Sequence, residues 1–111
     1  MAIPDFYIKQ GDTRPPIEAM LTDVAGAAVD LTTATSVKFH LSYGSRRTLV
    51  VDAAAQVIDA EEGKAKYQWV LDDTSRSGDY YAEFEVTWAD ENVQTFPNDR
   101  DIIVRIGRQA G

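Results

Sequence analysis

Catalysis needs a nucleophile, a tuned acid or base, or a metal, and the residue types that supply them are scarce in this chain. It has no cysteine and one histidine. A Ser-His-Asp arrangement would have to use His40, which stands on the polar side of an alternating segment with no Gly-x-Ser-x-Gly elbow nearby. Without thiols, disulfides and thiolate metal sites are also excluded. Acidic pairs occur at Asp72-Asp73, Asp90-Glu91 and Asp99-x-Asp101, and loop carboxylates of this kind can hold calcium. None has the spacing of a calcium loop, so they are expected to be turn-forming aspartates that cap backbone amides along a solvated acidic rim. A carboxylate pair working as a glycosidase would require an open cleft. No catalytic residue, cofactor or metal site is expected, and the chain reads as a non-enzyme.

Binding chemistry offers somewhat more. No phosphate-cradling glycine loop and no basic aromatic stripe is present. Tyr7, Tyr43, Tyr81 and Trp88 are candidates to stack on sugar rings, although such residues usually pack the core or edge of a β-sandwich. The net charge of −7 gives a field that repels phosphate backbones and anionic headgroups, so neither nucleic acid nor a membrane is an expected partner. That charge favours solubility and, secondarily, attraction to a basic protein surface.

The elements that would position these side chains are strands. Tyr80, Ala82, Phe84, Val86 and Trp88 alternate with Tyr81, Glu83, Glu85 and Thr87, which is the period of a half-buried strand over Asp79–Trp88. The same rule turns Val37, Phe39, Leu41 and Tyr43 inward over Ser36–Tyr43, and Ala65, Tyr67, Trp69 and Leu71 inward over Lys64–Leu71. Phe6–Lys9, Ile17–Asp23, Leu49–Ile58 and Ile102–Ile106 complete about seven strands, and no segment carries a helical period. Ala53-Ala54-Ala55 favours a short helical turn. Pro15-Pro16 cannot sit in a central ladder, so a kinked first strand is expected. Glycines at 26, 63 and 78 mark turns. Gly78-x-Tyr80 resembles a tyrosine corner, in which the hydroxyl bonds backbone a few residues upstream.

At 111 residues, 44% hydrophobic, the chain is expected to be one domain over residues 1–111, an all-β, immunoglobulin-like antiparallel sandwich. Its start lacks the basic and apolar regions of a signal peptide, and its apolar runs fall far short of a membrane span, so synthesis and assembly in the cytosol are expected.

Several stretches, in order, resemble the N-terminal domain of phage baseplate upper proteins. They are Phe6-Tyr7-Ile8-Lys9-Gln10-Gly11-Asp12-Thr13, Leu21-Thr22-Asp23 with Gly26, Val29-Asp30-Leu31-Thr32 and Val37-Lys38-Phe39-His40-Leu41. Gly63-Lys64-Ala65-Lys66-Tyr67, Asp73-Thr74, Gly78-Asp79-Tyr80-Tyr81-Ala82-Glu83-Phe84 and Thr95-Phe96-Pro97-Asn98 continue the likeness. The resemblance implies a tailed-phage virion component that docks on other virion proteins, often in multiple copies, and carries no catalytic residues. The sequence ends at Gly111, where baseplate upper proteins continue into a linker and receptor-binding region, so an accessory role on the capsid, neck or tail is expected. The expected partners are virion structural proteins, with a homo-oligomer as a further form. Open sheet edges offer unpaired backbone groups, and Phe6, Tyr7, Ile8, Lys9 and Gln10, with Ile103 and Arg105 in the last strand, are the candidate contacts. A carbohydrate-binding or host-adhesion module is the reading from a different class.

Overall fold

The computed structural model describes residues 5–97 and 101–110. Among them nine strands follow in order: β1 (Phe6–Lys9), β2 (Ile17–Met20), β3 (Ala34–Tyr43), β4 (Thr48–Ala54), β5 (Gln56–Asp59), β6 (Lys64–Tyr67), β7 (Gly78–Trp88), β8 (Val93–Phe96) and β9 (Ile102–Gly107). They form two sheets. The larger runs β1-β9-β7-β3-β4 with β8 also on β7, and the smaller runs β2-β6-β5. Neighbours are antiparallel except β1 and β9, which are parallel, an exception to the expected antiparallel pattern.

β7 organises the larger sheet. One side of it pairs with β3 along nearly its whole length, while the other is divided between β9 over Gly78–Ala82 and β8 over Phe84–Thr87. Every inward position from Tyr80 to Val86 is buried, as its alternation predicts.

The layers meet on an aromatic cluster centred on Phe39. Its ring stacks on Tyr67 of the smaller sheet at 4.5 Å and meets Trp69 edge-on at 5.6 Å and Phe84 at 5.3 Å. Offset and edge-to-face contacts of this kind add to the burial of apolar area. Phe39, Trp69, Tyr80 and Phe84 are all buried, as expected of the core.

Several sequence expectations need correction. Leu49–Ile58 is two strands in different sheets: β4 pairs with β3, β5 pairs with β6, and the chain changes layer at Ala55. No helical turn forms there, because Ala55 donates its N–H to the Val37 carbonyl at 2.8 Å and small side chains let the chain cross close to the core. Strand β6 ends at Tyr67; Trp69 is still buried, but Leu71 is 81% exposed in the following turn. Strand β2 stops at Met20, and the Pro15-Pro16 segment is a loop between strands of different sheets rather than a kink within one strand. β8 escaped the pattern because Phe96 alone among its residues is buried, so it shows no alternation.

Gly63 closes the β5–β6 turn at φ +66°, and a Cβ there would lie 2.6 Å from the Val29 carbonyl oxygen and 2.8 Å from that of Leu21. Both atoms are backbone and cannot rotate away. Gly63→Ala is expected to destabilise by at least about 1–3 kcal/mol, the usual cost of a strained backbone position. Phe39→Ala is expected to cost about 3–5 kcal/mol through loss of the ring and the cavity it leaves. Denaturant titration followed by tryptophan fluorescence checks both; Phe39→Ala within 1 kcal/mol of the parent, roughly the reach of a surface change, would contradict the central place of that ring.

Candidate functional site

Strand β1 lies at the end of the larger sheet, with β9 on one flank and, among the described residues, no strand on the other. Phe6 and Ile8 turn inward, where Ile8 is buried and Phe6 packs 5.8 Å from Trp69. Tyr7, 67% exposed, and Lys9 turn outward. Just past the strand, the Gln10 side chain donates to the Ser75 carbonyl at 2.7 Å and its backbone N–H to Gly107 at 2.7 Å. Five consecutive candidates thus divide into two core anchors, two outward side chains and one loop tether.

The expectation of a second edge at Ile102–Arg105 is corrected. β9 is hydrogen-bonded to β1 on one side and β7 on the other, so Ile103 and Arg105 present side chains but no open ladder. Arg105 bridges Asp5 and Asp79 at 3.1 Å each, which holds its guanidinium above its ordinary range. An open depression of about 570 Å³ lies beside it, lined by Tyr7, Lys9, Asp12, Arg14 and Asp79 among others.

Sequence reasoning missed the open edges at β8, which pairs only with β7 among the described residues, and at β4. The latter pairs only with β3 among the described residues, and Leu49 and Val50 are about half exposed. A register shift between Leu41 and Ser42 leaves Val50 as an extra residue, a bulge of the kind common on edge strands. The unalternated run Leu49-Val50-Val51 was the available signal.

The residues considered for chemistry have structural partners. His40 lies on the outer face of β3, its Nε2 3.2 Å from Asp52 of β4 and its Nδ1 3.2 Å from Glu83 of β7. A charged imidazole donates to both carboxylates, whereas a neutral one donates to one. Asp73 accepts the Val70 N–H at 2.9 Å and the Tyr67 hydroxyl at 2.6 Å, and Asp90 caps Asn92. Asp101 holds Arg47, and Asp99 lies outside the described residues. Among the described residues no three histidine or acidic side chains converge as metal ligands. The four candidate sugar-stacking rings do not share a face. Tyr7 and Tyr81 turn outward, the latter beneath Arg47 at 4.3 Å; Tyr43 and Trp88 lie on inward positions, Tyr43 beneath Arg76.

The profile of the BppU N-terminal domain, that of the phage baseplate upper protein, matches residues 5–98. The chain belongs to this family. Membership makes it a phage baseplate-associated structural protein, a class of virion component that interacts with other virion proteins. The fold is similar to the crystal structure of CopC from Methylosinus trichosporium OB3b, with a TM-score of 0.53 and 10% identity over 96% of this chain and 87% of that one. At that identity the likeness speaks for the fold alone. No curated protein matches the sequence.

Two tyrosines lock the loop that covers the upper core. The Tyr80 hydroxyl donates to the Arg76 carbonyl at 2.6 Å, completing the tyrosine corner suggested by Gly78-x-Tyr80, and Tyr67 donates to Asp73. Burial pushes both hydroxyls above the ordinary value of 10, and for Tyr67 the Asp73 carboxylate adds to it. The protonated form is the one the fold favours, so this stabilisation is complete below pH 10 and is lost as pH rises through the raised values. Alkaline absorbance titration is expected to show both phenols protonated beyond pH 10. Asp73→Asn should lower Tyr67 part of the way; no movement would mean the carboxylate does not act on it.

Proposed function

We propose that this chain is a non-catalytic, immunoglobulin-like module that docks on other structural proteins of a tailed-phage virion, as a decoration of the capsid or an accessory of the neck, tail or baseplate. The family match across residues 5–98 carries the reading. The geometry supports it. Among the described residues β1, β4 and β8 of the larger sheet each pair with one strand only, and His40 and Asp73 are committed to holding strands and turns. An open edge binds an extended segment through backbone hydrogen bonds, which demand little of the side-chain sequence.

Cryo-electron microscopy of the intact particle tests the reading: density for this fold against a neighbouring protein is expected, and absence of the polypeptide from purified virions would refute it. Which edge is used follows from two exposed double substitutions, Tyr7→Asp with Lys9→Glu on β1 and Leu49→Lys with Val50→Lys on β4. Charges on a docking edge are expected to reduce incorporation about tenfold or more, and only at the edge in use. Incorporation unchanged by both would rule out docking through β1 or β4.

A further inference from the structure

Among the described residues, the two most exposed large apolar side chains sit at opposite ends of the molecule. Val24, 90% exposed, tips the loop between β2 and β3, and Leu71, 81% exposed beside half-exposed Val70, tips the loop after β6. The strand directions fix these ends. Leu21 to Gly63, Leu31 to Ala60 and Ala89 to Thr33 backbone bonds gather loops 21–33, 59–63 and 89–92 at one end. Gly11 to Thr74 and Gln10 to Gly107 bonds gather loops 10–16, 68–77 and 107–110 at the other, where the β3–β4 hairpin also turns. β7 alone runs about 33 Å at 3.3 Å per residue, so the strands follow the longest of the 46 × 26 × 23 Å extents.

Charge separates along the same axis. Around Val24 the loops carry Asp23 and Asp30, then Asp59, Glu61 and Glu62, and then Asp90 and Glu91, with no lysine or arginine in any of the three. Turn hydrogen bonds from Ala25, Thr32, Glu62 and Asn92 fix four of these carboxylates, and bonds from Thr32 hold Asp30 below the usual carboxylate value. Around Leu71 the loops of the opposite end carry Arg14, Arg46, Arg47, Arg76 and Arg108 against Asp12, Asp72 and Asp73. Of these groups Asp73 is already bonded to Tyr67 and Arg47 to Asp101.

We propose that the occupant of each end is the other end of a second copy, so that molecules associate head to tail. An apolar tip ringed by one sign of charge then meets an apolar tip ringed by the other, the arrangement of a small interface with an apolar centre and a polar rim. The net charge of −7 does not prevent this. At physiological salt the screening length is about 8 Å, several-fold shorter than the particle, so the charges at the contact decide. A contact between unlike patches leaves one free patch of each kind, and repetition closes a ring or extends a row.

Sedimentation velocity on the purified chain, over a concentration series at low and high salt, tests the proposal. Concentration-dependent association that weakens about tenfold or more at high salt is expected, as for contacts governed by complementary charge. Glu61→Lys with Glu62→Lys leaves five acids against two lysines in the loops of the acidic end, and Arg14→Glu with Arg46→Glu leaves three arginines against five acids in those of the other. Each double variant alone should associate more weakly than the parent, and mixing the two should restore association, because each retains intact the end that is altered in the other. Circular dichroism confirms that the variants are folded. Val24→Ser, which alters no charge and no core residue, should also weaken association. A parent protein that stays monomeric throughout, a mixture that does not associate, or association indifferent to Val24→Ser would overturn the proposal. The measurement uses the isolated chain, so a negative result leaves docking on the virion standing.

Discussion

Phe39 is the point through which the two layers hold each other. Its ring belongs to the larger sheet, stacks on Tyr67 from the smaller and is boxed by Trp69 and Phe84. The smaller sheet has three short strands, of which β5 is exposed at every position. Three strands with so little buried area are marginal by themselves. Burial against Phe39 and its neighbours gives the smaller sheet its place, and the loop from Trp69 to Ser77 extends that cover over the upper half of the core. Tyr67, Asp73 and Tyr80 stitch this loop with side-chain hydrogen bonds where no strand pairing is available.

What was legible in the sequence follows from where burial is one-sided. β3 and β7 are central strands with one face on the core, so a period of two shows clearly, and the positions from Val37 to Leu41 and from Tyr80 to Val86 could be assigned residue by residue. β1 was legible as a strand over Phe6–Lys9, but the division into Phe6 and Ile8 against Tyr7 and Lys9 emerges only in the structure. β8 and β5 bury too little to leave a pattern, and the passage from β4 to β5 is hidden because both strands read as one apolar run.

The site was legible only in part, since an edge is a property of strand order rather than of any one strand. Nothing in Ile102–Arg105 distinguishes an outer strand from one enclosed between two others; that depends on β1 returning to lie parallel beside it. Conversely, β4 became an edge because the chain leaves the larger sheet after Ala54 instead of continuing it. The pairing of His40 with Asp52 and Glu83 was equally beyond reach, because it depends on the register of the β3–β4 hairpin and on β7, 43 residues further along the chain.

The crossing at Ala55 has a mechanical side. A single residue separates β4 from β5, so the polypeptide itself straps one layer to the other without slack. Sliding one sheet along the other would have to stretch covalent bonds at that flank, whereas the layers elsewhere are joined by longer loops and side-chain contact. Shear applied to the domain is therefore borne along this flank by the chain itself, and the aromatic interface is spared the part of the strain that it is least able to resist.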